Sequence, residues 1–245
     1  SDVLEFTVAG RYDHYSDFEG TTNPRIGFTW QFTDAASLKV LYGQAFRAPS
    51  FNELYTTNNA SVLGNPDLQP ETIRTYELGL AYQFTKHLSA NVNYFYNVVR
   101  DEIDFAQKED PSDPLKFENL RDSNIQGVEF EARTNLSNYW SDAYVFANYT
   151  YQDAESKGDI LPDVPKHKGN IGINMGITKY FNANLHTFIS DSSPRAEEDT
   201  RDDVSGYAIL NLTLIAKEFF NDLKIKASLF NLLNKEWEDP SLVNT

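Results

Sequence analysis

The feature that most constrains this chain is a period of two that recurs along most of its length. In RIGFTWQF the apolar Ile26, Phe28, Trp30 and Phe32 alternate with Arg25, Gly27, Thr29 and Gln31. TYELGLAYQF sets Tyr76, Leu78, Leu80, Tyr82 and Phe84 against Thr75, Glu77, Gly79, Ala81 and Gln83. GNIGINMGI sets Ile171, Ile173, Met175 and Ile177 against Asn170, Gly172, Asn174 and Gly176. LSANVNYFYN obeys the same rule with one exception, Phe95, which falls on the polar side. Eleven such segments begin near residues 3, 24, 37, 73, 88, 123, 142, 168, 181, 205 and 222. Side chains of a strand point alternately to opposite faces, so each segment reads as a strand with one apolar and one polar face. Almost no helical period competes.

The connections carry the next constraint. DHYSDFEGTTNP is long, TDAA short, and the stretch of residues 46 to 72 very long. FTKH, SNYWSD, TKYF and KEFFND are short, and between them lie the long acidic segment 101–123, QDAESKGDILPDVPKHK and SDSSPRAEEDTRDDVSG. Long and short alternate without a break. A meandering sheet with one tidy rim and one elaborated rim produces this, and transmembrane β-barrels are built that way. Aromatic residues flank every short turn: Trp30 and Phe32, Tyr82 and Phe84, Tyr139 and Trp140, Tyr180 and Phe181, Phe219 and Phe220. A second set, Tyr12, Tyr42, Tyr94, Tyr96, Tyr149 and Tyr151, lies toward the long loops. Rings with an apolar body and a polar edge favour membrane interfaces. A soluble two-sheet sandwich also alternates. It has no reason to confine its long loops to one end, and the polar face here is Asn, Gly, Thr, Ser and Glu with few lysines, as a wet lumen requires.

Composition closes off other classes. A net charge of −15 and a pI near 4.6 speak against nucleic acid, which a negative surface would repel. With no cysteine, a disulfide scaffold, a thiolate zinc site and a cysteine nucleophile are all excluded. No run approaches the roughly 18 apolar residues of a membrane-spanning helix. No Gly-rich phosphate loop, HExxH or GxSxG occurs, so the chain is expected not to be an enzyme. Glu77, Glu129 and Glu131 read as wet lining residues rather than acid–base carboxylates. An open sheet cannot sit in lipid, because lipid offers backbone groups no partner. Eleven strands would leave the last one on the long-loop side, so the expectation is a fragment of a larger, even-stranded barrel.

YGQAFRAPSFNELY followed by GNPDLQPETIRTYELGLAYQF resembles the C-terminal half of the barrel of TonB-dependent outer-membrane receptors. VRDEIDF, ENLRDSNIQGVEFEA, LPDVPKHKGNIGI and NLLNKEWEDPS follow in the matching order. The resemblance covers essentially the whole of residues 1–245. It implies an all-β, antiparallel up-and-down barrel of 22 strands in the bacterial outer membrane, of which this sequence carries about eleven. It also implies a preceding plug domain, through which such a receptor meets the TonB complex; neither the plug nor a closing strand is recognisable here.

Within the long segment, Pro49 lacks the N–H a ladder needs and holds Ala48 extended, so Arg47-Ala48-Pro49 is expected to end a strand. Asn65-Pro66-Asp67 carries turn chemistry that leads back into the next one. Arg47, Pro49, Asn65 and Pro66 are therefore read as bracing the rim. Ligand contact is assigned to Asn52, Glu53, Tyr55, Asn58 and Asn59, which are polar or amphipathic and have no evident structural duty in the sequence. The resemblance implies import of an iron–siderophore chelate, with cobalamin, haem or a passive porin-like barrel as alternatives. Haem receptors of the family carry a histidine between FRAP and NPNL-like motifs. Here FRAP and NPDL are present, but residues 50–64 contain no histidine. The acidic loops KEDPSDP, QDAESKGD and RAEEDTRDD read as solvated charge. Ca²⁺ bound by their carboxylates is the alternative, without EF-hand spacing to support it. No other metal or cofactor is expected.

Overall fold

Register carries the alternating rows of neighbouring strands onto the same face of one sheet. The computed structural model describes residues 3–18, 20–106, 113–157, 159–195, 199–217 and 223–238. Its strands are β1 (Val3–Asp13), β2 (Thr21–Thr33) and β3 (Ala36–Arg47), then a one-turn helix α1 (Phe51–Tyr55) and the short β4 (Val62–Leu63). There follow β5 (Glu71–Gln83), β6 (Leu88–Ala106), β7 (Leu115–Asn135), β8 (Tyr144–Ser156) and the short β9 (Asp159–Ile160). β10 (His167–Gly176), β11 (Phe181–Ser190), β12 (Tyr207–Ala216) and β13 (Ile225–Leu229) are the remaining strands among the described residues. The sheet runs β1-β2-β3-β5-β6-β7-β8-β10-β11-β12-β13, each strand antiparallel to the next, with β4 added beside β7 and β9 beside β8. This is the up-and-down meander that the period of two and the loop alternation predict.

One row shows the segregation. Phe6 faces Phe28, Phe28 faces Val40, Val40 faces Leu78, Leu78 faces Tyr94, Tyr94 faces Val128, and Val128 faces Tyr151. The opposite face is read through Thr29, Lys39, Gly79, Asn93, Glu129, Thr150 and Lys168. The apolar row is not packed against protein: Leu78 is 49% exposed, Ile171 53% and Ile177 63%. Buried apolar residues among the described ones are few and mostly small: Ala36, Leu54, Leu68, Ala143, Ala154 and Val204. A sheet that leaves its large apolar side chains uncovered is stable where lipid covers them. Among the described residues no helix is long and apolar enough to cross a membrane; the crossing elements are strands.

The polar face is tied laterally. Asn91 donates to Glu131 and Asn93 to Glu129, each at 3.4 Å, Thr75 donates to Asn97 at 2.8 Å, and Asn170 donates to Asn148 at 2.9 Å. Phe95, the exception to the alternation, stands opposite Gly127. A Cβ on Gly127 would lie 2.6 Å from the Phe95 ring, so the ring occupies the space the missing side chain leaves. Phe146 covers Gly172 in the same way.

Two expectations are corrected. The acidic segment 101–123 is not a long loop: β6 runs to Ala106 and β7 starts at Leu115, so the hairpin continues beyond the membrane. The pairing slips between Val99 and Ile103, where Asp101 takes a φ of 58°. Charge stitches the extension, through an Arg121–Asp104 ion pair and an Arg100–Asp122 pair at 3.7 Å. The segment between Pro49 and Asn65 is likewise no plain loop, since it holds α1 and β4. Phe219, Phe220 and most of the loop KEDPSDP lie outside the described residues.

Candidate ligand site at the long-loop rim

Strand β3 ends at Arg47 and β5 begins at Glu71, and the two residues are direct register partners. Arg47 donates from Nε to Glu71 Oε2 at 2.6 Å and from Nη2 to Oε1 at 2.5 Å. Its Nη1 reaches both carboxylate oxygens of Glu53, at 3.0 and 3.1 Å. One guanidinium thus ties the strand end to the helix and to the returning strand. The rigid fork of arginine allows this, and lysine would lack it. Burial pushes the Glu71 carboxyl up, but the Arg47 bonds, a bond from the Ile103 N–H at 2.8 Å and the charge of Arg47 outweigh it. Glu71 therefore titrates below its ordinary range, and Arg47 above its own.

Helix α1 is set by its first turn. The Ser50 hydroxyl accepts from the Glu53 N–H at 3.3 Å, and the Glu53 carboxylate accepts from the Ser50 N–H at 2.6 Å, a complete capping box. Leu54 in the helix, 2% exposed, and Leu68 in the returning segment, 1% exposed, are both buried. The chain returns close over the helix: Gly64 N–H donates to Thr56 O at 2.8 Å and Asn65 N–H to Glu53 O at 2.7 Å. Asn65 itself is buried. Its side chain donates to Phe117 O at 2.9 Å and accepts from Asp67 N–H at 3.1 Å, closing the turn that Pro66 enters. Pro49 is buried as well. The four residues read as bracing the rim all stand within this framework.

The five residues assigned to the ligand divide. Glu53, read as free of structural duty, caps the helix and binds Arg47, which corrects that reading. Asn59 accepts from the Ser61 and Val62 N–H groups at 2.8 and 3.2 Å, so it too holds the backbone. Asn58 takes a φ of 57°, in the left-handed region that asparagine tolerates. Asn52 is exposed, and among the described residues only its carbonyl is engaged, by Thr56. Tyr55 is 46% exposed beside the Phe51 ring. Desolvation and then the nearby Asp17 raise its hydroxyl above the usual phenol range, so the first long loop touches the second here.

Sequence reasoning missed Asn119. Its side chain accepts from the Gln69 N–H at 2.9 Å, donates to Gln69 O at 2.9 Å, and donates to Asp101 O at 2.6 Å. It acts as a strand partner for Gln69 and joins the β6–β7 extension to the segment before β5. It also missed a cleft between β2 and β3. Their ladder reaches only to Arg25 opposite Gly43; beyond it β2 stays with β1 and β3 stays with β5. Gln44 bridges the split by donating to Thr22 O at 3.0 Å. The cleft, about 460 Å³, is lined by Arg11, Tyr15, Asn23, Arg25 and Phe46 among others. Arg25 is exposed between the small residues Ala9 and Gly43 and makes no ion pair among the described residues. Arg195 and Arg201 on a later loop are both close to Asp199, at 3.7 and 2.5 Å, and Asp199 is held down to about 2, chiefly by the bond from Arg201. Among the described residues no cluster of three or more His, Asp and Glu could hold a metal ion.

A lipid-facing meander with short turns on one rim and bracing long loops on the other defines a segment of an outer-membrane β-barrel. The chain belongs to the TonB-dependent receptor β-barrel family: the model described as "TonB dependent receptor-like, beta-barrel" matches residues 1–232. Its place is the outer membrane, and the family is one of transporters and receptors rather than enzymes. The chain is 24% identical, over 96% of its length, to the iron-regulated outer membrane virulence protein of Vibrio cholerae, and spans 39% of that protein. It is 25% identical over 91% of its length to the vitamin B12 transporter BtuB of Photobacterium profundum, of which it spans 36%. Among solved structures, the siderophore receptor PirA from Acinetobacter baumannii superposes with a TM-score of 0.76 at 19% identity, covering 95% of this chain and 40% of that one. The chain therefore spans about two-fifths of the relatives it matches.

Proposed function

We propose that this chain is part of a receptor that captures an iron–siderophore chelate at the cell surface for TonB-energised import. The observation that carries the reading is the β2–β3 cleft, whose lining includes the guanidinium of Arg25, without an ion-pair partner among the described residues, together with Arg11, Asn23 and Tyr15. A siderophore surrounds a ferric ion with anionic oxygens, and its chelate presents negative charge and planar faces. Guanidinium and aromatic rings suit both, by charge-assisted hydrogen bonds and by stacking. Asn52, Tyr55 and Asn58, all exposed at the same rim, complete the capture surface. Import would use the plug and TonB contacts of the whole receptor.

The test is ligand titration on the full-length receptor that contains this segment, comparing ferric siderophores with cyanocobalamin and haem. Arg25→Ala is expected to weaken ferric-siderophore binding about 10- to 100-fold, the loss of one charged hydrogen-bonding group. Tight cobalamin or haem binding with no siderophore affinity, or unchanged siderophore affinity in the variant, would overturn the reading.

A further inference from the structure

The lipid-facing side of the sheet carries a polar notch at its upper edge. Across β6, β7 and β8 the outward row runs Tyr94, Val128, Tyr151. One step toward the long loops it becomes Tyr96, Gln126, Asp153, and the next step pairs Asn124 with Glu155. These residues keep the parity of the apolar row, so they share its face. Tyr94, Tyr96, Asn124, Gln126, Asp153 and Glu155 line a hollow of about 310 Å³. Each two-residue step along a strand rising about 3.3 Å per residue and tilted by about 40° climbs roughly 5 Å. Asp153 and Glu155 then stand roughly 5 and 10 Å above the ring of Tyr151, at headgroup depth.

The donors and acceptors in the notch are arranged in pairs. Tyr94 donates to Gln126 Oε1 at 3.1 Å and Tyr96 to Asn124 Oδ1 at 3.3 Å, which directs the two amide NH₂ groups away from the phenols, with no acceptor among the described residues. The Asp153 carboxylate, which accepts from Lys166 at 2.8 Å, stands in register beside the Gln126 amide, and the Glu155 carboxylate beside that of Asn124. A sugar hydroxyl both donates and accepts, so a carboxylate next to an amide NH₂ satisfies it fully. The two tyrosine rings offer an apolar bed for ring C–H groups. A bare phosphate would instead face two carboxylates against the single ammonium of Lys166, which Asp153 already engages.

We propose that this notch seats the glycosyl headgroup of an outer-leaflet glycolipid, with the acyl chains lying down the Tyr94–Val128–Tyr151 row. The site is continuous with the lipid-covered face and independent of the imported ligand.

The experiment places the full-length receptor in nanodiscs of phosphatidylethanolamine and phosphatidylglycerol doped with a monoglucosyl diacylglycerol. Lipid retained after detergent extraction is counted by native mass spectrometry. The unmodified receptor is expected to retain the glucosyl lipid at least fivefold over either phospholipid, unchanged by EDTA. Asp153→Leu with Glu155→Leu abolishes the preference, and the luminal Thr150→Val leaves it intact. A heat-modifiability assay confirms folding; should the double variant misfold, Gln126→Ala and the lipid competition on the unmodified receptor still decide. Three outcomes each overturn the proposal: equal retention of all lipids, preference for the ethanolamine ammonium, or retention lost on chelation, which marks a cation-bridged phosphate.

Discussion

Arg47 and Glu71 face each other across the β3–β5 pair and are joined by two parallel hydrogen bonds of 2.6 and 2.5 Å. The same guanidinium holds Glu53, so the order of the whole segment between them depends on a fork that only arginine supplies. Arg47→Lys should loosen residues 50–65 while the barrel strands stay folded. Charge-assisted bonds of this kind contribute a few kcal/mol when shielded, but the Arg47 side chain is 47% exposed, so about 1 kcal/mol is expected. That corresponds to roughly fivefold faster amide exchange in this segment. Unchanged protection by hydrogen-exchange mass spectrometry would refute the clamp.

The clamp is also sensitive to acid. Glu71 has its folded pKa depressed, so its contribution is present above the ordinary carboxylate value of about 4.3 and is lost as pH falls through the folded value. Residues 50–65 should therefore stay protected at pH 5 and open progressively below about pH 4, after correction for intrinsic exchange rates. Glu71→Gln should remove most of that pH dependence. Equal protection at pH 5 and pH 3 would count against it.

Gly64 marks the closest approach of the returning chain to α1. A Cβ there would lie 2.6 Å from the backbone N of Thr56 and 2.8 Å from the carbonyl of Leu54, neither of which can rotate away. Gly64→Ala should push the returning chain away from α1 and destabilise the rim by roughly 1–3 kcal/mol, as overpacking does. Limited proteolysis between residues 50 and 64 should become faster while heat-modifiability of the barrel is retained. A variant cleaved no faster than the parent would mean the segment has slack that this structure does not show.

The meander was legible in the sequence because lipid and lumen impose opposite chemistry on alternate residues, as in Ile26, Phe28 and Trp30 against Arg25, Gly27 and Thr29. Where strands leave the membrane that contrast ends. Residues 101–123 carry charges on both faces, so the β6–β7 extension has no hydrophobic period and reads as a loop. Helix α1 did leave a local signal, the serine and glutamate three apart at Ser50 and Glu53, but one turn is too short for a helical period. The long-range partners were not legible. Glu71 lies 24 residues from Arg47 and Asn119 lies 50 from Gln69, and only strand register brings them together. The split beside Arg25 is a failure of pairing, which no local pattern announces.

Ile171 and Asn170 are neighbours in β10 on opposite faces, and they separate the membrane reading from any other. Ile171 sits mid-strand, 53% exposed, facing Ala147 and Thr187; Asn170 donates to Asn148 on the polar face. If lipid covers the first face, Ile171→Lys places an ammonium near the bilayer midplane, at about 2–4 kcal/mol. Asn170→Lys loses one neutral hydrogen bond and gains a solvated charge, for less than about 1 kcal/mol. On a water-exposed face the order would differ, since a surface substitution at Ile171 would stay within about 0.5 kcal/mol. Folding titrations of the full-length receptor into lipid vesicles measure both. The expected result is a large loss for Ile171→Lys, a small one for Asn170→Lys, and near-parent stability for Ile171→Leu. Comparable losses at the two positions would remove the assignment of faces, and with it the placement of Arg25 in the lumen and of Asp153 at the lipid boundary.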